Sequence, residues 1–303
     1  MKIIQDTECS NPLQKDPYFD GVSPQPLPSF NVASYVNHSE LLQEMVKLNV
    51  EIYRWDKKQE IHEIVLKKDF NTDVRPVIQF LVDNGLKAED LGKFFTRNPM
   101  ILDQDLDELQ TRVNYLQTKK FSRDDIARVL TRNPFWIMFS TTRIDARLGF
   151  FQRAFRLSGN EVRSLSRKEP RLITCNLWNV KEMTFGIREE MGFDERQVKT
   201  LFLSKPKLWM KSRETLVDRF DFIHNVMKLN HETILKFPAI LTCRDFRLKQ
   251  RHQYLCFRNR NQYDPCKENY VSPLDIIRGS DADFCLQVAH SSVIDYNNFC
   301  KTL

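Results

Sequence analysis

One mark recurs along this chain: a proline whose predecessor-but-one is usually basic, with apolar residues two and three places after it. It appears at Arg97-Asn98-Pro99, Arg132-Asn133-Pro134, Lys168-Glu169-Pro170, Ser204-Lys205-Pro206 and Lys236-Phe237-Pro238, the prolines 35, 36, 36 and 32 residues apart. The apolar pairs are Ile101-Leu102, Trp136-Ile137, Leu172-Ile173, Leu208-Trp209 and Ile240-Leu241. A unit of this length cannot bury its own apolar face, so recurring units stack into a solenoid.

The interior of each unit reads as two helices. In the second, Leu106, Leu109, Val113 and Leu116 fall at helical spacing. Ser122 with Asp125 three residues on marks a capped second helix carrying Ile126, Val129 and Leu130. Pro134 ends it, because the residue before a proline is pushed out of the α region. A short 3₁₀ turn around Phe135 and Trp136 is expected to follow. The first helices repeat an aromatic-apolar phase, as in Val77-Ile78-x-Phe80-Leu81 and Leu148-x-Phe150-Phe151, read as packing between units rather than as platforms for bases. Only 8 glycines among 303 residues argue against dinucleotide folds, barrels and sandwiches. The expected class is an all-α superhelical solenoid with units of two α-helices plus a 3₁₀ turn.

Two ends depart from the pattern. Residues 1–37 hold Pro12, Pro17, Pro24, Pro26 and Pro28 among polar residues and read as a flexible lead. Residues 38–303 then form a single repeat domain, with degenerate capping repeats over Leu41 to Phe70 and after Pro265.

Same-phase residues of stacked units form rows. Two places before the prolines, four of five residues are basic, in a chain where Lys and Arg are 46 of 303. The net charge of +6 is also uneven: Thr131 to Arg171 holds nine Lys/Arg against three acids, and Arg244 to Arg260 six against Asp245. Two readings stand for such a row: a cradle for a sugar-phosphate backbone, or cations favoured by the helix C-terminal dipole. On the first reading Arg97, Arg132, Lys168, Lys205 and Lys236 form a core ridge, with Arg143, Arg147, Arg167, Arg171, Arg247 and Arg251 as outer contacts. A second row, Arg112, Arg147, Arg219 and Arg251, lies on the first helices, where ligand contact and bonding to helix-end carbonyls are equally open.

Signs of catalysis are absent: no G-x-x-x-x-G-K, G-x-S-x-G or H-E-x-x-H occurs. Seven cysteines are scattered with no C-x-x-C, and six histidines are dispersed, His224 and His231 lacking a third ligand. The reading is a non-enzyme with reduced thiols, no cofactor and no metal. No apolar run reaches the ~18 residues of a membrane helix.

The unit ending in basic-x-Pro-x-Leu/Ile resembles the repeat of the mitochondrial transcription termination factor (mTERF) family, over about residues 40–303. Leu109 to Ala127 (LQTRVNYLQTKKFSRDDIA), Arg147 to Gln152 (RLGFFQ), His224 to Met227 (HNVM), Lys236 to Pro238 (KFP) and Gln262 to Pro265 (QYDP) resemble one animal branch of it. The resemblance implies a left-handed half-ring with a basic concave side and a protein of the mitochondrial matrix. It also implies manufacture with a transit peptide, which the first thirty residues, two lysines against four acids, do not resemble. The implied role is negative regulation of mitochondrial transcription initiation at the promoter region, with a link to ribosome biogenesis. Implied partners are double-stranded mitochondrial DNA, mitochondrial rRNA, and transcription or ribosome-assembly proteins, bound by a monomer. A helical scaffold acting through protein or RNA in ribosome assembly is the alternative.

Overall fold

Side chains that satisfy orphan backbone N–H groups start many of the helices. Ser122, Ser158, Asp194 and Ser280 each accept from a first-turn N–H, and Asp125, Glu161, Gln197 and Asp283 answer back to the cap, four capping boxes among the described residues. Between first and second helices one residue takes the left-handed conformation that closes a helix end: Asn49, Gly85, Lys120, Arg156, Gly192 and Lys228, every 35 or 36 residues.

The computed structural model describes residues 32–57, 61 and 64–303. Unit one has a first helix Arg75–Asp83, a second Ala88–Arg97 and a closing 3₁₀ turn Pro99–Asp103. Unit two repeats this as Leu106–Thr118, Arg123–Arg132 and Pro134–Met138. Unit three is Thr141–Ala154, Gly159–Lys168 and Pro170–Thr174, whose closing turn is α rather than the expected 3₁₀. Unit four is Leu177–Phe185, Glu195–Ser204 and Pro206–Met210. Unit five is Arg213–Asp221, His231–Lys236 and Pro238–Thr242. Second helices pack on second helices and closing turns on closing turns, as a solenoid requires. No strand occurs among the described residues.

The ends differ from the sequence reading in instructive ways. Residues 1–31 of the proline-rich lead lie outside the described residues. Its tail does not: Val32–His38 is a 3₁₀ turn, with Val32 buried and its N–H donating to Asp56 Oδ1 at 2.9 Å. At the other end Asp245–Phe257 is the first helix of a sixth unit, and Pro273–Ile277 is its closing turn. Pro273 stands 35 residues after Pro238 and was masked by Asp275 in the usual apolar place. No second helix occurs in that unit; the buried Tyr263 and Val271 fill its place. A last unit, Asp281–Phe284 with Val293–Cys300, closes the chain.

The core runs unbroken along the stack. Phe80, Phe151, Phe220 and Ile223 are buried, and Tyr115, Phe150 and Phe222 are half-buried against the same core, so the aromatic phase of the first helices packs between units. Between units three and four, Phe155 lies flat on Phe202 at 3.8 Å with Trp209 edge-on to both.

Candidate nucleic-acid interface

Each cation on the stacked helices has a choice between a backbone carbonyl, a carboxylate and solvent, and the structure sorts them. The first-helix row settles on carbonyls. Arg112 donates to Ile137 O at 2.8 Å, Arg147 to Ile173 O and Cys175 O at 2.7 Å, Arg219 to Leu241 O at 2.6 Å, and Arg251 to Ile276 O and Arg278 O at 2.8 Å. In every case the third residue after the unit's own closing proline accepts. These arginines lock a first helix to the turn of the same unit, not of its neighbour. Where unit four has Glu182 instead, Trp209 Nε1 donates to Thr184 Oγ1 at 2.9 Å.

Two expected outer contacts change role on this account. Arg251 is 0% exposed and also bonds Asp281 at 2.7 Å, so it is a buried structural group and is not presented to any ligand. Arg147 is half-buried, and burial together with nearby Arg143 lowers its pKa. Among the remaining outer contacts, Arg143 lies over the Phe139 ring at 4.0 Å and Arg167 reaches Asp125 at 3.3 Å. Arg171 is exposed and Arg247 half-buried, and neither makes a hydrogen bond or ion pair through its side chain. Of the nine cations in the Thr131–Arg171 window, only Arg153 and Arg171 are uncommitted.

The ridge at the ends of the second helices is arranged differently. Arg97, Arg132, Lys168 and Lys236 are exposed and Lys205 half-exposed, and none of the five forms an ion pair. Two of them span to the next unit. Arg132 Nη1 donates to Lys168 O at 3.1 Å, and Lys168 Nζ to Leu203 O and Ser204 O at 2.7 Å, each capping the neighbouring helix C-terminus. These contacts meet the helix-dipole reading of the row, and the exposed guanidinium of Arg132 keeps further donors free. Partial burial, and after it the like charge of Lys205, lowers the pKa of Lys168.

In the first two proline marks the intervening asparagine is structural. Asn98 Nδ2 donates to Pro134 O at 3.0 Å, and Asn133 Nδ2 to Thr174 Oγ1 at 2.7 Å, tying turn to turn beneath the ridge. Lys93 and Arg128, one helical turn before Arg97 and Arg132, were missed in the sequence. Both are exposed with no hydrogen bond or ion pair from their side chains, and their i−4 spacing from the ridge was the available signal.

Among the described residues no three metal-capable side chains come together, the six cysteines carry no disulfide, and no helix is long and apolar enough to cross a membrane.

A family model described as mTERF matches residues 34–284. The chain is 44% identical over 276 residues to "Transcription termination factor 3, mitochondrial" of Drosophila melanogaster, covering 91% of this chain and 78% of that protein. It is 41% identical over 281 residues to the Rattus norvegicus protein of the same name, covering 93% and 69%. To "Transcription termination factor 1, mitochondrial" of Homo sapiens it is 24% identical over 206 residues, covering 62% and 50%.

Proposed function

The chain belongs to the mTERF family, and from that premise we propose that it is a nucleic-acid-binding regulator of mitochondrial transcription. Its finer role is negative regulation of initiation near the promoter, with a second tie to ribosome biogenesis, in the mitochondrial matrix. The ridge binds the phosphate backbone and reads no base edges, so affinity is largely independent of sequence.

One observation carries the reading. Four cations, Arg97, Arg132, Lys168 and Lys236, hold the same place at the ends of their second helices, Lys205 stands one residue out of that phase, and none of the five forms an ion pair with a carboxylate. Some exposed cations elsewhere on the same chain find carboxylates, as in Arg156–Glu195 at 3.0 Å and Lys119–Asp145 at 2.7 Å, while Arg153 and Arg196 do not. Self-repulsion along an unneutralised row is relieved by a polyanion, whose condensed counterions are released on binding.

The scaffold alternative has its own observation. Phe135 is 45% exposed on the wall of a groove of about 340 Å³ that Arg171, Asn179 and Met210 also line, which suits a peptide side chain. Crosslinking in intact mitochondria, followed by sequencing of attached DNA and RNA, separates the two. Reads concentrated on mitochondrial DNA near promoters are expected; a nuclease-resistant, salt-independent protein complex with no enriched nucleic acid would favour the scaffold.

A further inference from the structure

The outward stripe of each second helix has three places, one turn apart, and their chemistry changes along the stack. The last place is the ridge: Arg97, Arg132, Lys168, then Ser204. The middle place is Lys93, Arg128, then Ser164 and Thr200, all four exposed. Cations are therefore two deep in units one and two, one deep in unit three and absent from the stripe's last two places in unit four.

Lys93, Arg97, Arg128 and Arg132 form a grid. Four helical residues rise about 6 Å, and packed helices lie about 8–10 Å apart; the two helices here pack directly on one another. Lys93, Arg97 and Arg128 make no hydrogen bond or ion pair with their side chains, and Arg132 spends one nitrogen on carbonyls. The acids of these stripes, Glu89 and Asp124, sit one turn further back in the first turns, where the helix dipole favours them. Like charges one turn apart repel, and although Glu89 and Asp124 stand four residues before Lys93 and Arg128, no ion pair closes on any of the four cations. Lys168, by contrast, has its ammonium on two carbonyls.

We propose that Lys93, Arg97, Arg128 and Arg132 are the chain's primary clamp on a sugar-phosphate backbone, gripping neighbouring phosphates, and that Lys168 mainly positions the next helix. This rests on the nucleic-acid reading above and assigns its centre to units one and two, with only Arg132 of the four inside the charge-rich Thr131–Arg171 window.

The test uses the full chain with K93A/R128A, and R153A/R196A as a control that removes two exposed, equally uncommitted cations elsewhere. Binding is measured against salt with a duplex DNA and a single-stranded RNA of equal length. Each phosphate contact removed should lessen the log–log salt slope by about 1, so K93A/R128A should lose about 2 and the control almost none. Loss on one probe alone would still support the clamp and would identify that polymer as its ligand. Equal losses in both variants, or binding by K93A/R128A indistinguishable from the unsubstituted chain, would overturn the clamp while leaving nucleic-acid binding in place. No binding by the unsubstituted chain to either probe would remove both proposals.

Discussion

Replacing Arg251 by alanine is expected to lower unfolding stability by about 3–5 kcal/mol, the cost of breaking a buried charged network from one side. The guanidinium is fully buried, with Nη1 on two carbonyls, Nη2 near a third, and Nε and Nη2 on Asp281. It also lies over the Phe284 ring at 4.7 Å. Its removal leaves the Ile276 and Arg278 carbonyls without this donor and opens a cavity where the sixth unit has no second helix to share the load. Arg112 holds the same place in unit two with its side chain 14% exposed, so Arg112→Ala should cost distinctly less, since water can replace the lost donors. Denaturant unfolding of the two variants checks the order. Equal, small losses would mean that these arginines are not the closures of their units.

Gly92→Ala is the second large effect, and its sign discriminates. Helix propensity alone makes alanine better than glycine by about 1 kcal/mol at an exposed helix interior. Gly92, however, is buried where the second helix of unit one meets the turn after Glu40–Lys47, and an added Cβ would overlap the carbonyl oxygen of Leu48. That neighbour is backbone and cannot swing aside. Thr96 beside it reinforces the contact, donating to Gly92 O at 2.6 Å while accepting from Glu51 N–H at 2.9 Å. The expected result is a net loss of about 2–3 kcal/mol, in the range of overpacking costs. Hydrogen exchange should quicken over Glu40–Lys47, because the segment must lift away. A stabilised variant would mean that the cap rests only loosely on unit one.

Much of the fold was legible because its signals are local. Pro134 both ends one helix and starts the next turn, and Ser122 with Asp125 announces the helix between. Pro273 does not stand out in the sequence because Asp275 takes the apolar place two residues on; the third place, Ile276, is the one that is buried and that Arg251 grips. The α form of Pro170–Thr174 had no distinguishing residue. Val32–His38 escaped because burial of Val32 depends on Asp56, a contact 24 residues away.

The candidate site was harder, since charge in a sequence does not say what a charge touches. Arg147 and Arg251 look like ligand contacts by composition, yet each closes its own unit. Arg163 and Lys199 reach back to Lys119 O and Arg156 O at 3.3 and 2.9 Å, so they too serve the stacking. Lys93 and Arg128 lie outside both charge-rich stretches and are among the cations left free. Several arginines and lysines of this basic solenoid thus serve its own carbonyls, and its capacity for a polyanion resides in the cations left over.

Affinity for nucleic acid measured across salt concentration tests this account most directly. Neutralising about five phosphates predicts a log–log slope near −4 for duplex DNA. Tight binding whose strength does not move with salt would contradict it.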